Sequence, residues 1–153
     1  MPQHKSVYFP QKPNDILDRI DYDIKRDEEI AQVNIEIKPL DFRNTLLYHM
    51  KQLGITEPKL VDLCEDAISN RTVQRMLALD PNGRTKPKRE NIVLICLMMK
   101  LPFSLSINLV NKAGYSLLDG MTGQRLQKLL QQRNLSAAEA KRTIDAILEK
   151  ETA

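Results

Sequence analysis

Between Ser69 and Arg89 the sequence reads SNRTVQRMLALDPNGRTKPKR, and six of those side chains are cationic: Arg71, Arg75, Arg84, Lys86, Lys88 and Arg89. Asp80 is the lone acid among them, which leaves a local charge of +5. A field that concentrated attracts a polyanion. A solvated surface turn that happens to carry Lys and Arg is the plainer alternative. The whole chain is nearly balanced, 23 basic against 20 acidic residues, so the placement of charge matters more than its total. Residues 1–40 carry −2, residues 41–120 carry +3 and residues 121–153 carry +2.

The residues that could support other chemistry are badly spaced for it. His4 and His49 are far apart and lack a partner at ligand spacing, so a surface or helix-face role is expected of each. Cys64 and Cys96 sit in apolar helical patterns, which suits buried, inert thiols rather than a disulfide framework or metal cluster. Ser69 and His49 have no nucleophile motif around them. Gly114, Gly120 and Gly123 form neither a dinucleotide fingerprint nor a phosphate loop. The acidic run from Asp21 to Glu29 lacks the order of a calcium loop and reads as one face of a solvated helix. These patterns point to binding rather than catalysis, with no metal and no cofactor implied.

The elements that must hold the basic segment are helices. Aromatics make up 5% of the chain and there are five Gly, a balance that favours packed helices over a sheet. Apolar residues at 42% and charged residues at 28% suit a soluble globular chain of one domain with appendages. The longest apolar run, Ile92 to Met99, is too short to span a bilayer, and Met1 to Pro10 has no apolar leader segment. A cytoplasmic protein without a membrane anchor is expected.

With Pro2, Pro10 and Pro13, residues 1–14 read as an extended arm. Asn14 or Asp15 caps a helix to about Ala31, with Ile16, Leu17, Ile20, Ile24 and Ile30 as its inner face. Val33, Ile35 and Ile37 alternate with polar residues up to Pro39, as either one short strand or an extended connector. Asp41 opens a helix that Gly54 ends. Thr56 caps the next, with Glu57 and Pro58 in its first turn. Ser69 caps a third, and Asp80-Pro81-Asn82-Gly83 is a turn. A nearly all-apolar helix from Arg89 to Leu101 is closed by Pro102. Covering it falls to the helices over 42–53 and 105–112. Ser104 starts another helix that stops at Ala113-Gly114-Tyr115. Gly120 and Gly123 flank a restart leading to a helix that ends near Asn134. Ser136-Ala-Ala-Glu139 has the form of a capping box opening the last one.

Residues 41–116 resemble the phage-repressor type of helix-turn-helix domain, the Cro/repressor or XRE-like group. Phe42–Leu53 and Gly54-Ile55-Thr56 resemble that family's first helix and the turn after it. Thr56-Glu-Pro-Lys-Leu60-Val61 resembles its second helix, and Ile68 to Met76 its recognition helix. Gly83 to Pro87, a helix, Leu101, a further helix and Ala113-Gly114-Tyr115 resemble members whose last helices end in AGY. The resemblance implies an all-α, lambda-repressor-like five-helix domain over 41–116, with an N-terminal arm and helix over 1–40 and a C-terminal helical hairpin over 117–153.

It also implies function. The third helix would lie in the major groove, about 12 Å wide, with Asn70, Arg71, Gln74 and Arg75 against base edges. Arg reads guanine in a fork and Asn or Gln reads adenine. Thr56, Ser69, Thr72, Arg84, Lys86, Lys88 and Arg89 would hold the phosphate backbone. The implied protein is a sequence-specific regulator of transcription that occupies its operator in double-stranded DNA, as a homodimer through the C-terminal helices. The alternative is a protein-interaction module on the same scaffold: an antitoxin, an anti-repressor or an assembly factor. It rests on Glu57 and on a long acidic turn, Asp62 to Ile68, that lacks the customary glycine. Its partner chain would be bound by the acidic arm or the C-terminal helices.

Overall fold

Five helices begin where a short polar side chain stands three residues before an amide it can accept from. In the computed structural model, which describes residues 5–8, 12–78, 86–132 and 134–152, Asp15 accepts from Asp18 N at 3.2 Å and Asp41 from Asn44 N at 2.9 Å. Thr56 accepts from Lys59 N at 3.4 Å and Ser69 from Thr72 N at 3.2 Å. Ser136 accepts from Glu139 N at 3.1 Å while its own amide donates to Glu139 Oε1 at 3.3 Å, the reciprocal pair expected there. Each such cap stabilises its helix by about 1 kcal/mol.

The elements in order are α1 (Lys5–Tyr8), α2 (Ile16–Ile37), α3 (Phe42–Leu53), α4 (Glu57–Leu63), α5 (Asn70–Leu77), α6 (Arg89–Met98), α7 (Phe103–Lys112), α8 (Gly120–Leu130) and α9 (Ala137–Thr152). Among the described residues there is no strand, so the chain is all-helical as its composition predicts. Gly54 closes α3 in the left-handed conformation, φ 70°, which glycine adopts without the steric cost of a Cβ. The Asp80–Gly83 turn lies outside the described residues.

The core is built around α6, whose residues from Ile92 to Met98 are all buried. A helix apolar all round must be covered on several sides. Its cover comes from α7, the helix expected over 105–112, and from α8 and α9, with the main contacts of α3 (the helix over 42–53) made to α1, α5 and α7 instead. Leu126, Leu129 and Leu130 of α8 and Ala140, Ile144 and Ile147 of α9 are buried in this cluster. The apolar faces of the C-terminal pair are therefore turned inward, onto α6 and each other. On the other side α3 packs on α5 and α7, and α4 packs on α5.

Several local expectations are corrected. Residues 5–8, expected to be extended, form a helical turn in which Val7 and Tyr8 are buried; contact with α2 and α3 overrides the neighbouring prolines. Val33 to Ile37 is neither strand nor connector but the last part of α2. Ile30, Val33 and Ile37 are three and four residues apart, and Val33 and Ile37 are fully buried. The supposed inner face of that helix is its outer face: Ile16, Leu17, Ile20 and Ile24 are all half or more exposed. Helix α6 ends at Met98, three residues early, because Lys100 turns into the left-handed region at φ 54°. Pro102 is the N-cap residue of α7, which begins at Phe103. Helix α8 begins at Gly120 and ends at Leu130 rather than near Asn134.

A buried polar cluster joins the N-terminal helices to this core. His49, fully buried rather than at the surface, is hydrogen-bonded through Nδ1 to Tyr8 Oη at 2.5 Å. Its ring meets Tyr8 and Tyr48 edge-on, each at 5.7 Å. Tyr48 Oη in turn donates to Glu36 of α2. Lys112 Nζ, from the end of α7, donates to Ile37 O at 2.7 Å and to Leu40 O, capping the end of α2. Burial, then the Lys112 charge, pushes the His49 pKa down to about 4, so the ring is neutral.

Candidate nucleic-acid interface

Helix α5 has a buried underside and a polar outer face. Val73 and Met76 are buried, and so are Leu60 of α4, Cys64 at its C-cap and Ile68 of the turn between the helices. These contacts fix the two helices against each other. Arg43 of α3 adds a polar tie, its Nε donating to Leu77 O at 2.6 Å and thereby satisfying a carbonyl at the end of α5. No sequence pattern indicated that bond, since its partners are 34 residues apart.

On the opposite side Asn70, Arg71, Gln74 and Arg75 are all exposed. Their spacing i, i+1, i+4, i+5 gathers them into one stripe of the helix. At the start of α5, the Ser69 and Thr72 hydroxyls lie 2.9 Å apart and both are exposed or half-buried. Thr56 is exposed at the start of α4, its hydroxyl engaged as the cap.

The loop before α6 brings a second group of cations to the same side. Thr72 and Arg75 of α5, Lys86 and Lys88 of the loop, and Asn91 of α6 line a shallow cleft of about 210 Å³ floored by Met76 and Pro87. Two basic groups separated in sequence thus share one surface. Arg84 lies outside the described residues. Arg89 points elsewhere: its guanidinium pairs with Glu151 of α9 at 3.1 Å, tying the start of α6 to the end of the chain.

Two residues with no assigned role hold that loop. Tyr115 Oη donates to Pro87 O at 2.8 Å, and the Lys86 ammonium stands 4.1 Å above the Tyr115 ring. Such a cation–π contact contributes about 0.5–1 kcal/mol at an exposed site. Gly114 is in the left-handed region at φ 91°, and a Cβ there would lie 3.2 Å from Lys86 Nζ. Ala113-Gly114-Tyr115 therefore acts as a rest for the basic loop. The sequence offered only the resemblance of that triplet, not its contact.

The other end of α5 has opposite electrostatics. An open hollow of about 650 Å³ beside Asn70 and Arg71 is lined by Asp62, Glu65 and Asp66. Glu65 occupies the left-handed region at φ 49°, the conformation for which a turn glycine is ordinarily used. Asp62 and Asp66 flank it, and all three carboxylates are exposed. The surface therefore grades from acidic at the α4–α5 turn to basic at Lys86 and Lys88.

Neither thiol is placed for chemistry. Burial pushes Cys64 up to about 11 and Cys96 up to about 12, so both remain protonated. Among the described residues no cluster of three or more His, Cys, Asp or Glu is arranged to hold a metal ion. None of the described helices is long and apolar enough to cross a membrane. The chain matches no protein-family model, no curated protein and no solved structure.

Proposed function

We propose that this protein is a sequence-specific, double-stranded DNA-binding regulator of transcription, acting in the cytoplasm by occupying its site and without catalysis. One observation carries the reading: an exposed stripe of Asn70, Arg71, Gln74 and Arg75 stands on a helix with a buried underside, beside a cleft holding Lys86 and Lys88. Arg, Asn and Gln are the side chains whose paired donors and acceptors match base edges in the major groove. Lys86 and Lys88 would meet phosphates and set the register. Arg89, paired with Glu151, is left out of that contact set. Asp62, Glu65 and Asp66 would repel the backbone at the acidic end, which orients the helix with its basic end nearer the phosphates.

As a homodimer the protein would set two copies of α5 about 34 Å apart, one turn of duplex, on an inverted repeat. Self-association through the C-terminal helices would draw on their outer surface near the start of α8, where Met121, and Leu118 just before the helix, are exposed.

Selection of bound sequences from a random double-stranded DNA library at about 150 mM salt tests the proposal. Enrichment of a defined sequence is expected, and an inverted repeat would add the dimer. Retention that shows no enrichment and collapses with added salt would overturn sequence-specific binding.

A further inference from the structure

Helix α2 has two apolar faces. The one formed by Val33 and Ile37 is buried in the core. On the other, Ile16 is 73% exposed, Leu17 64%, Ile20 50%, Ile24 54% and Ile35 65%. At 100° per residue, these five and the exposed Ala31 fall within one arc, turned well away from Val33 and Ile37. The stripe extends from Ile16 to Ile35, about 30 Å along the helix. Single exposed apolar residues are ordinary, but four Ile and Leu side chains packed into Ile16–Ile24, continued more sparsely by Ala31 and Ile35, mark a contact surface.

Charge decides what covers it. Asp23 stands along one border of the stripe, with Asp27 just inside it, and Asp21 and Glu28 stand along the other, all exposed. Lys12 offsets one of them, pairing with Asp23 at 3.4 Å; Arg19, Lys25 and Arg26 lie farther round the helix. Two copies of α2 laid stripe to stripe, in either direction, would set carboxylates against carboxylates, since no border position is basic. The pattern disfavours pairing with a second α2 and favours a helix of opposite flanking charge.

We infer that the outer face of α2 is a docking surface for a partner protein that presents an amphipathic helix, apolar on one side and bordered by Lys and Arg. Ile16, Ile20 and Ile24 pack into its apolar face, and Asp21, Asp27 and Glu28 pair with its basic borders and set its direction. This surface does not depend on DNA binding by α5.

The probe is a synthetic Leu/Lys helix with Lys along both borders, compared with its Leu/Glu counterpart by fluorescence anisotropy on the full chain. The protein is expected to bind the Lys form and not the Glu form, more weakly as salt rises. Ile20→Gln with Ile24→Gln should weaken binding about tenfold or more while circular dichroism shows an unchanged helix content, because both residues are exposed. Asp21→Lys with Glu28→Lys should transfer the preference to the Leu/Glu peptide. Equal binding of both peptides, binding of neither, or indifference to the Ile20→Gln/Ile24→Gln change would overturn the inference. So would sedimentation showing a dimer of the wild-type chain that this pair of substitutions dissociates, because the occupant would then be a second copy.

Discussion

The outer faces of α5 and α2 are built on opposite principles. Helix α5 turns its apolar residues inward and shows Asn, Arg and Gln to solvent, groups that water satisfies until a polyanion replaces it. Helix α2 shows solvent a row of Ile and Leu edged with carboxylates, a surface that water penalises. The first is stable unoccupied and selective through hydrogen-bond geometry. The second gains free energy from any apolar cover, so its selectivity must come from the charges at its borders. On the proposed reading, one chain thus carries a surface for nucleic acid and another, of opposite sign, for a basic protein segment.

The largest way to break this contrast is to remove the support of one face and leave the other intact. Leu60→Ala takes away a fully buried side chain beneath α5 and should cost about 2–5 kcal/mol of stability. DNA affinity should fall in the fraction still folded, while binding of the Leu/Lys peptide to that fraction should persist. Denaturant titration beside both binding assays checks this.

The anchor of α2 can be loosened by pH. His49 has its pKa lowered from 6.5 to about 4 by burial first and by Lys112 second. As pH falls through 6.5 the unfolded chain takes up the proton and the folded chain does not. Stability contributed by the neutral ring is therefore lost between about pH 6.5 and 4, on the order of 3 kcal/mol in all. Burial holds the Tyr8 and Tyr48 phenols well above their ordinary range, so they remain donors throughout. Denaturant midpoints measured against pH should fall across this window, and His49→Gln should flatten the fall.

Within the α5 surface the division of roles separates two substitutions. Arg71→Ala should cost about 1–3 kcal/mol and relax preference at one base position. Lys86→Ala should weaken all duplexes alike and reduce the salt slope by about one unit. Equal effects on sequence preference and salt slope from both variants would contradict the assignment. The smallest effect is expected at the acidic turn. Glu65→Gly relieves a left-handed residue at φ 49° but raises unfolded-state entropy, so stability should change by less than about 1 kcal/mol. Glu65→Val should lower it, as thermal unfolding would show.

Legibility followed the distance over which each feature is decided. The caps Asp15, Asp41, Thr56, Ser69 and Ser136 could be read because each side chain and its amide are three residues apart. The exposed stripe of α5 could be read because helical period alone sorts Val73 and Met76 from Asn70, Arg71, Gln74 and Arg75. What fixed α1 could not, since Tyr8 meets His49 across 41 residues. Alternation through Val33, Ile35 and Ile37 resembled a strand, yet only Val33 and Ile37 meet the core, at helical spacing. The inner face of α2 was misassigned because Ile16, Leu17, Ile20 and Ile24 are as apolar as Val33 and Ile37, and only the packing shows which of the two faces meets the core. Arg89 looked like its neighbours Lys86 and Lys88 until Glu151, 62 residues on, claimed it.

The most direct test of the central claim is acetylation footprinting of the lysines, read by mass spectrometry, with and without a saturating DNA duplex. Lys86 and Lys88 should be protected by the duplex, with Lys12 and Lys25 of the α2 region unchanged. Protection of Lys12 and Lys25 with Lys86 and Lys88 still reactive would contradict the assignment of α5 and its basic loop as the DNA surface.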